Sequence, residues 1–138
     1  MLLVKTRIGT SPIAGIGLFA DEFIPKGTPI WRFKKGFDIR VDQAYVDALP
    51  GPAKAFFATY AYQNQETLRY VLCADNARFF NHSDTPNTTC VEDPEDEDTM
   101  DIALRDIAPG EELTVDYREF DTDPFYGFES VAHQAEPV

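Results

Sequence analysis

The stretch that decides the fold of this chain is RFFNHSDTPN, which runs from Arg78 to Asn87. Further along, the chain reads GEELTVDY from Gly110 to Tyr117, directly after Ile107-Ala108-Pro109. Asn, Ser, Asp and Pro cluster in turns, so the first stretch predicts an irregular polar loop. The second stretch follows a Pro-Gly turn and alternates polar with apolar residues, which predicts a strand that ends on a tyrosine.

Length and composition predict a single β-rich domain. The chain has 138 residues, a size at which one domain buries roughly two-thirds of the surface that its unfolded form exposes. Its 43% apolar residues, with eleven Phe and six Tyr, argue against disorder. Ten Pro and eight Gly favour turns and short strands over long helices, and so argue against a helical bundle.

The pattern of apolar residues predicts short strands around two short helices. Between Val41 and Gln63, apolar residues recur at three- and four-residue steps, with an interruption at Pro50-Gly51-Pro52. An irregular loop is predicted over residues 75–87. Strands are predicted over residues 2–8, 13–20, 28–33, 67–73, 88–91, 100–104 and 112–117.

The distribution of charge excludes one class of partner. The formal net charge is −12, and residues 92–98 include six acidic side chains. Direct binding to nucleic acid is disfavoured, because phosphate contacts need a basic face. The acidic segment itself fits two interpretations. It is either a solvated loop between strands or an acidic rim that attracts a Lys- or Arg-rich peptide.

The sequence also predicts a compartment and the state of its thiols. No cationic leader precedes an apolar run, and no stretch approaches the ~20 apolar residues of a membrane span. We therefore expect an intracellular, cytoplasmic protein without a membrane partner, with a nuclear or host-nuclear location left open. Cys73 and Cys90 match no zinc spacing, so we expect reduced thiols and no bound metal.

Two familiar motifs can be set aside before the chemistry is assigned. Gly15-x-Gly17 lacks the third glycine and the following helix of a dinucleotide fingerprint. By itself such a pair marks a bulge or a close backbone approach. Ser83 has no glycine-flanked elbow, and the adjacent His82 is too close in sequence to act as its base, so a serine hydrolase is a poor match.

Taken together, three separated motifs resemble those of the SET-domain protein lysine methyltransferases. The segments are 15–20 with the turn 24–27, then 78–87, then 110–117. The resemblance implies a mainly β, SET-type β-clip fold with short helices, in which the last motif is threaded against the Asn-His-Ser loop in a pseudoknot-like way. Two positions depart from the family pattern: Asp84 stands where many members have Cys, and Cys73 where Asp is common.

The same resemblance implies S-adenosyl-L-methionine as the cofactor. Asn81 would hydrogen-bond its amino-acid end, the main chain of His82 would read the adenine edge, and the glycines would let the backbone approach its methionine part. The full set of cofactor-binding residues that the resemblance implies is Gly15, Ile16, Gly17, Leu18, Arg78, Phe80, Asn81, His82 and Tyr117.

Lysine methylation makes demands that the remaining motif residues can meet. The amine must be neutral, and an aromatic-walled channel beside a cationic cofactor disfavours the ammonium. By resemblance, Tyr117 and Tyr60 are the catalytic residues that orient the amine, although the tyrosines of 60–62 equally fit one apolar helix face. The implied channel walls are Tyr60, Tyr62, Tyr70 and Val115. Val115 replaces a Phe or Tyr of many relatives and leaves the number of methyl groups open.

The resemblance further implies one SET domain over residues 1–128, with core motifs over 13–117 and an aromatic segment over 118–128. Residues 129–138 are predicted to be a frayed tail. The aromatic segment either covers the cofactor and the channel mouth or packs on the core; it contains Phe120, Phe125, Tyr126 and Phe128.

The implied substrate is the lysine of a basic, histone-like protein or peptide segment. A homodimer that completes the channel is compatible with the resemblance. Two alternatives stay open at this stage: a non-catalytic interaction module with the same fold, and a methyltransferase that acts on a non-lysine acceptor.

Overall fold

The computed structural model describes residues 1–124, which form short strands in four small sheets and two short α-helices. The strands are β1 (Thr6–Thr10), β2 (Ile16–Ala20), β3 (Pro29–Trp31), β4 (Ile39–Val41), β5 (Tyr62–Gln63), β6 (Tyr70–Leu72), β7 (Asn81–His82), β8 (Thr88–Val91), β9 (Met100–Ala103) and β10 (Thr114–Val115). The α-helices are α1 (Gln43–Asp47) and α2 (Gly51–Tyr60), and 3₁₀ helices span Asn76–Phe79 and Tyr117–Glu119.

The sheets combine local hairpins with one long-range parallel pair. β1 and β2 form an antiparallel hairpin, in which Thr6 lies opposite Ala20. Two antiparallel three-stranded sheets have the orders β3-β9-β8 and β4-β6-β5. β7 pairs with β10 in parallel. The mainly β fold with short helices that the sequence predicted is confirmed.

The segment before β10 first runs antiparallel to β2. The backbone of Glu112 bridges that of Phe19, and the Leu113 N–H donates to the Leu18 carbonyl at 2.8 Å. Leu18 and Leu113 are both fully buried. The C-terminal motif is therefore anchored on the glycine-containing strand of the first motif.

The same segment then turns to lie beside the Asn-His-Ser loop. Thr114 is opposite Asn81 in the parallel pair. The buried side chain of Asn87 completes the attachment, because its Nδ2 donates to the Glu112 carbonyl at 2.8 Å and its Oδ1 accepts from the Thr114 N–H at 2.9 Å. Chain crossings of this kind are rare among protein folds. Here the crossing unites all three motifs.

The core lies between these sheets, and a smaller apolar cluster forms beneath the two α-helices. Burial of aliphatic side chains supplies most of the stabilisation at roughly 25 cal/mol per Å² of apolar surface. The helix cluster consists of Val46, Phe57 and Leu72, with Tyr70 packed against it. The largest fully buried apolar side chains are Leu18, Ile24, Ile30, Val71, Ile107, Leu113 and Val115, the last of them 2% exposed.

The predicted helices are present, but their interruption lies earlier than expected. α1 ends at Asp47, and α2 begins at Gly51 with Pro50 as its N-cap. Pro52 therefore lies in the first turn, where a missing N–H costs no helical hydrogen bond. No helix among residues 1–124 has the length and apolar character that crossing a membrane requires.

Several strand boundaries also differ from the predictions. β1 begins at Thr6, and Leu2 makes an isolated bridge to Trp31. β6 begins only at Tyr70, because Leu68 adopts a left-handed conformation with φ of 60° in the preceding turn. The stretch predicted as an irregular loop over 75–87 contains a 3₁₀ helix and β7. Strands β4 and β5 were not predicted, since neither has a recognisable alternation.

The acidic segment is tied to the domain by arginines. Arg32 pairs with Asp93 at 2.6 Å and with Glu95 at 2.9 Å. Arg40 pairs with Asp96, with Glu97 at 3.2 Å and with the buried Asp98 at 2.6 Å, and its guanidinium lies 3.6 Å from the ring centroid of Phe33. The segment is thus fixed by ion pairs and does not extend freely into solvent.

Asp98 is the buried anchor of this segment. Its Oδ2 accepts from Arg40, and its Oδ1 accepts from the Tyr62 hydroxyl at 3.1 Å and from Asn64 Nδ2 at 2.8 Å. The side chain is 1% exposed. A carboxylate at this depth is tolerated because every partner donates a hydrogen bond to it.

Replacing Asp98 with alanine should lower the free energy of unfolding by roughly 3–5 kcal/mol, because the charge of Arg40 is left without its buried partner. The matched control is Glu95→Ala, whose side chain is 76% exposed and should contribute less than about 1 kcal/mol. Urea unfolding of both variants checks the difference. Equal losses would contradict the anchoring role.

Candidate functional site

The three motifs meet at one cavity of about 670 Å³. This volume lies within the range of pockets that hold small-molecule ligands. The cavity reaches the surface at Ile16 and Tyr60, which are 50% and 37% exposed. Of the predicted site residues, it is lined by Gly15, Ile16, Tyr60, Tyr62, Arg78, Phe80, Asn81, Val115 and Tyr117.

Asn81 joins the first two motifs. Its Nδ2 donates to the carbonyl of Ala14 at 3.1 Å and lies 3.4 Å from that of Ile16. Gly15 between them has φ of +46°, a conformation that favours glycine. This turn directs the carbonyls of the two residues on either side of Gly15 at one amide.

Glu112 fixes the orientation of the Asn81 amide. One carboxylate oxygen accepts from Asn81 Nδ2 at 2.9 Å, and both accept from the Ser11 hydroxyl at 2.8 and 2.9 Å. Carboxylate and carbonyl oxygens only accept hydrogen bonds, so the side-chain atom of Asn81 that faces them must be the NH₂ nitrogen. Among residues 1–124 no donor is bonded to Asn81 Oδ1, so this oxygen is the acceptor that the side chain offers to the cavity.

Gly17 is required by the same contact. A Cβ at this position would lie 2.5 Å from Glu112 Oε2 and 2.9 Å from Ser11 Cβ. Gly17 and the fully buried Leu18 stand behind the cavity and are not among its lining residues. They support the pocket through packing, which differs from the direct backbone approach that the resemblance implies.

His82 also lies behind the cavity wall. Its Nδ1 accepts from the Tyr117 N–H at 3.2 Å, so Nε2 carries the proton and donates to Asp84 Oδ1 at 2.8 Å. Its ring lies 5.4 Å from that of Tyr117 between centroids. The side chain thus orients the last motif.

Tyr117 brings the only phenol of the last motif to the cavity. Its hydroxyl donates a short hydrogen bond to the Phe80 carbonyl, and burial raises the pKa of the phenol well above its ordinary value. The group therefore remains protonated at neutral pH. A fixed hydroxyl beside a main-chain carbonyl can orient an amine without accepting its proton.

The predicted channel residues separate into two groups. Tyr60 contacts Phe56 and Phe79 at centroid distances of 4.9 and 6.0 Å, and its side chain is at the cavity mouth. Tyr62 is deeper, and burial beside Asp98 raises its pKa well above normal. Tyr70 lies in the cluster beneath the α-helices and does not line the cavity. Successive side chains of β6 point to opposite faces, and Tyr70 shares with Leu72 the face that packs under the α-helices.

Arg78 and Phe120 also line the cavity. The Arg78 guanidinium donates to the Cys73 carbonyl at 3.1 Å and lies 5.6 Å from the ring centroid of Phe56. Phe120 contacts the rings of Tyr62 at 5.0 Å and Tyr117 at 6.1 Å. Phe120 thus packs on the core and also lines the cavity. The other aromatics of the predicted cover, Phe125, Tyr126 and Phe128, lie outside the described residues.

The inner wall carries an acid that the sequence did not reveal. Asp101 lies opposite Cys90 of β8 and Trp31 of β3, so all three side chains share one face of that sheet. All three line the cavity. The Cys90 thiol donates to Asp101 Oδ1 at 3.2 Å. Burial raises the pKa of Asp101 to about 7.

Sequence reasoning missed Ser11, Glu112 and Asp101. Glu112 lies within a quoted motif, but only the crossing of the chain reveals which side chains its carboxylate meets. Asp101 alternates with apolar neighbours, which is typical of a solvent-facing position. Here the polar face of the strand meets an internal cavity, and no signal in the sequence distinguishes the two situations.

Comparison with known proteins agrees with this architecture. The SET domain family model matches residues 15–118. A Plasmodium falciparum structure assigned as a histone methyltransferase shares 21% identity, with a TM-score of 0.58, covering 84% of this chain and 95% of that one. No curated protein sequence matches the chain.

A second similar structure is a humanized mutant of Chaetomium thermophilum Polycomb Repressive Complex 2, bound to an inhibitor. It shares 22% identity and a TM-score of 0.62, over 88% of this chain and 16% of that one. Both structures support the fold. The chain is thus a β-rich domain with a cavity where its C-terminal motif crosses the Asn-His-Ser loop. Because the family model matches three quarters of its length, the chain belongs to the SET domain family.

Adding one methyl group at Gly17 should destabilise the fold by about 1–3 kcal/mol, because Glu112 and Ser11 leave no space for it. The matched control is Gly51→Ala in the first turn of α2, where an added Cβ meets no atom within 4 Å. That variant should be neutral or up to about 1 kcal/mol more stable. Denaturant unfolding of Gly17→Ala and Gly51→Ala compares them. A neutral Gly17→Ala would contradict the close contact.

The raised pKa of Asp101 predicts a specific pH dependence of stability. Between its ordinary value of 3.8 and about 7 the folded protein holds a proton that the unfolded chain releases. Relative to Asp101→Asn, wild-type stability should therefore fall as pH rises, by up to about 1.4 kcal/mol per pH unit. Asp93→Asn supplies the opposite sign, because Arg32 lowers the pKa of Asp93 and that stabilisation is lost in acid. Unfolding curves between pH 2 and 8 measure both, with the Asp93 effect confined to the range below about pH 4, and parallel curves would contradict the prediction.

Proposed function

We propose that this protein transfers a methyl group from S-adenosyl-L-methionine to the side-chain amine of a lysine in a basic protein segment. The observation that carries the proposal is the convergence of the three SET motifs on one cavity that is open to the surface. Family membership supports methyl transfer in general. Cofactor and substrate are inferred from the residues at the site.

The residues present fit the cofactor. Asn81 offers an amide oxygen whose orientation is fixed by Glu112, and this acceptor suits the ammonium of an amino-acid ligand. Ile16 and Phe80 provide apolar surface, and the carboxylate of Glu112, held 2.9 Å from Asn81 Nδ2, adds a negative charge behind this amide. S-adenosyl-L-methionine, when bound, supplies an electrophilic methyl group on a positively charged sulfur.

Tyr117 and its neighbours would orient the acceptor amine. The phenol stays protonated, so its oxygen and the Phe80 carbonyl both present lone pairs to the same region. Orientation of reacting groups can supply several kcal/mol of the barrier. Tyr60 stands at the mouth as the second aromatic wall. Val115, at 2% exposure, closes the cavity with a small side chain and leaves room beside the amine.

A basic substrate segment is supported by the charge around the cavity. A polar groove of about 410 Å³ shares Tyr62, Thr99 and Phe120 with the cavity. Its wall includes exposed acids, which are part of the net charge of −12. Complementary charge favours association with Lys- and Arg-rich segments and raises their encounter rate. The exposed acids that line the groove are Glu66, Glu92, Glu97 and Glu119.

Tyr117→Phe should lower methyl transfer roughly 10- to 100-fold, because the amine loses the hydroxyl that orients it. Cofactor affinity, measured by calorimetry, should change little. The measurement is tritium transfer from labelled cofactor to a panel of basic proteins, with mass spectrometry of the product to identify the modified side chain.

The matched control for Tyr117→Phe is Tyr45→Phe, which removes a hydroxyl from a residue that is 55% exposed and remote from the cavity. This variant should retain full transfer. Transfer that is absent in the wild type, despite tight cofactor binding, would favour a non-catalytic interaction module. Modification of another acceptor would favour the non-lysine alternative.

A further inference from the structure

The inner wall of the cavity carries a carboxyl group that the proposed mechanism does not yet use. Asp101, Cys90 and Trp31 form a row across the β3-β9-β8 sheet, and the row faces the cavity that Tyr117 and Val115 also line. The Trp31 indole N–H is buried without a hydrogen-bond partner among residues 1–124. The row is therefore polar, buried at Trp31 and partly buried at Cys90 and Asp101, and incompletely satisfied.

A series of aromatic rings connects this row to the phenol of the last motif. Tyr117 contacts Phe120, and Phe120 contacts Tyr62. The charge of Asp101 in turn contributes to the raised pKa of Tyr62. The carboxyl group and the phenol thus belong to one continuous wall. Both groups line the same cavity, and Tyr60 stands at its mouth.

Asp101 differs from the other carboxyl groups at the cavity. Asp121 accepts backbone N–H bonds from Gln63 and Asp123, at 3.2 and 3.3 Å, and these favour its anion. Asp123 is exposed. Within residues 1–124, Asp101 accepts only a weak thiol donor. Its anion is therefore the least satisfied of the three, and it gains most from a cation.

The groups around Asp101 do not supply that cation. Cys90 and Cys73 are thiols whose pKa values burial raises well above normal, and Tyr62 is likewise neutral at pH 7. The carboxylate of Glu119 opposes ionisation of Asp101, and the amino terminus of Met1 weakly favours it. The environment balances the acid between its two protonation states near neutrality.

We infer that Asp101 is the carboxylate that receives the ammonium of the methyl acceptor and takes up the proton which the amine must lose. This inference rests on the proposed function, since the acceptor is taken to be a lysine. The step breaks one N–H bond and forms one O–H bond, directly or through one water molecule. The ammonium becomes a neutral amine, the carboxylate becomes a carboxylic acid, and the net charge in the cavity is unchanged.

Desolvation makes this exchange favourable. An enclosed ion pair of ammonium and carboxylate loses the hydration of both charges, whereas amine and carboxylic acid do not. Burial also lowers the pKa of a lysine and raises that of an acid, so the two values approach each other. A lysine side chain is mostly protonated in water at pH 7. By accepting its proton, Asp101 converts the bound lysine into the neutral amine that methyl transfer requires.

The first test measures binding without any cofactor. The probe is a peptide with one lysine between arginines, compared with the same peptide carrying norleucine. At pH 8 the wild type should bind the lysine peptide about tenfold more tightly than the norleucine peptide. This advantage should decline below pH 6, disappear in Asp101→Asn and return in Asp101→Glu. The control Asp21→Asn, an exposed position after β2, should behave as the wild type.

The second test is the pH dependence of methyl transfer to the lysine peptide. Asp101→Asn should lose roughly 10²-fold at pH 7 and recover toward pH 10, where the free amine forms in solution. An Asp101→Asn variant with an unchanged lysine advantage and a parallel pH profile would overturn the inference. If the wild type transfers no methyl group but shows the Asp101-dependent advantage, the proposed function fails and the cation-accepting role of Asp101 stands.

Discussion

The carboxylate of Glu112 is the interaction on which the site depends. It lies between Ser11, Asn81 and Gly17, and so joins residues from all three motifs within hydrogen-bond distance or van der Waals contact. Desolvating a carboxylate is costly unless donors surround it. Here a hydroxyl and an amide meet that requirement. The amide in turn has only one orientation, and the adjacent β10 places Tyr117 at the cavity.

Much of this arrangement could be predicted from the sequence, because composition and apolar spacing predict short strands and two helices, and because the resemblance of three motifs to the SET family implies the crossing. The β-rich fold, the two helices and the meeting of Asn81 with the last motif were all expected. The sequence did not predict which of these residues line the cavity and which lie behind it. Gly17, Leu18 and His82 support the cavity from behind, and Tyr70 belongs to another cluster. Which face of a short strand meets a cavity depends on tertiary packing, and two or three residues carry too little alternation to reveal it.

The acidic residues likewise have two different roles, which a count of charges does not distinguish. Asp93 and Asp98 are buried and paired with Arg32 and Arg40, so part of the negative charge is structural. The exposed acids of the neighbouring groove are the part available to a partner. Their effect on association should weaken as ionic strength rises, because exposed charges are screened and buried pairs are much less so.

The large sequence separation between Glu112 and its partners has a consequence for how the domain folds. Ser11 and Glu112 are 101 positions apart in the chain, so their contact closes one of the largest loops the domain contains. Such closures carry an entropic cost and belong to the slow events of folding. During synthesis the first two motifs leave the ribosome well before the third. A nascent chain that ends short of β10 has no finished pocket, and a ligand that occupies the pocket selects for molecules whose final crossing is complete.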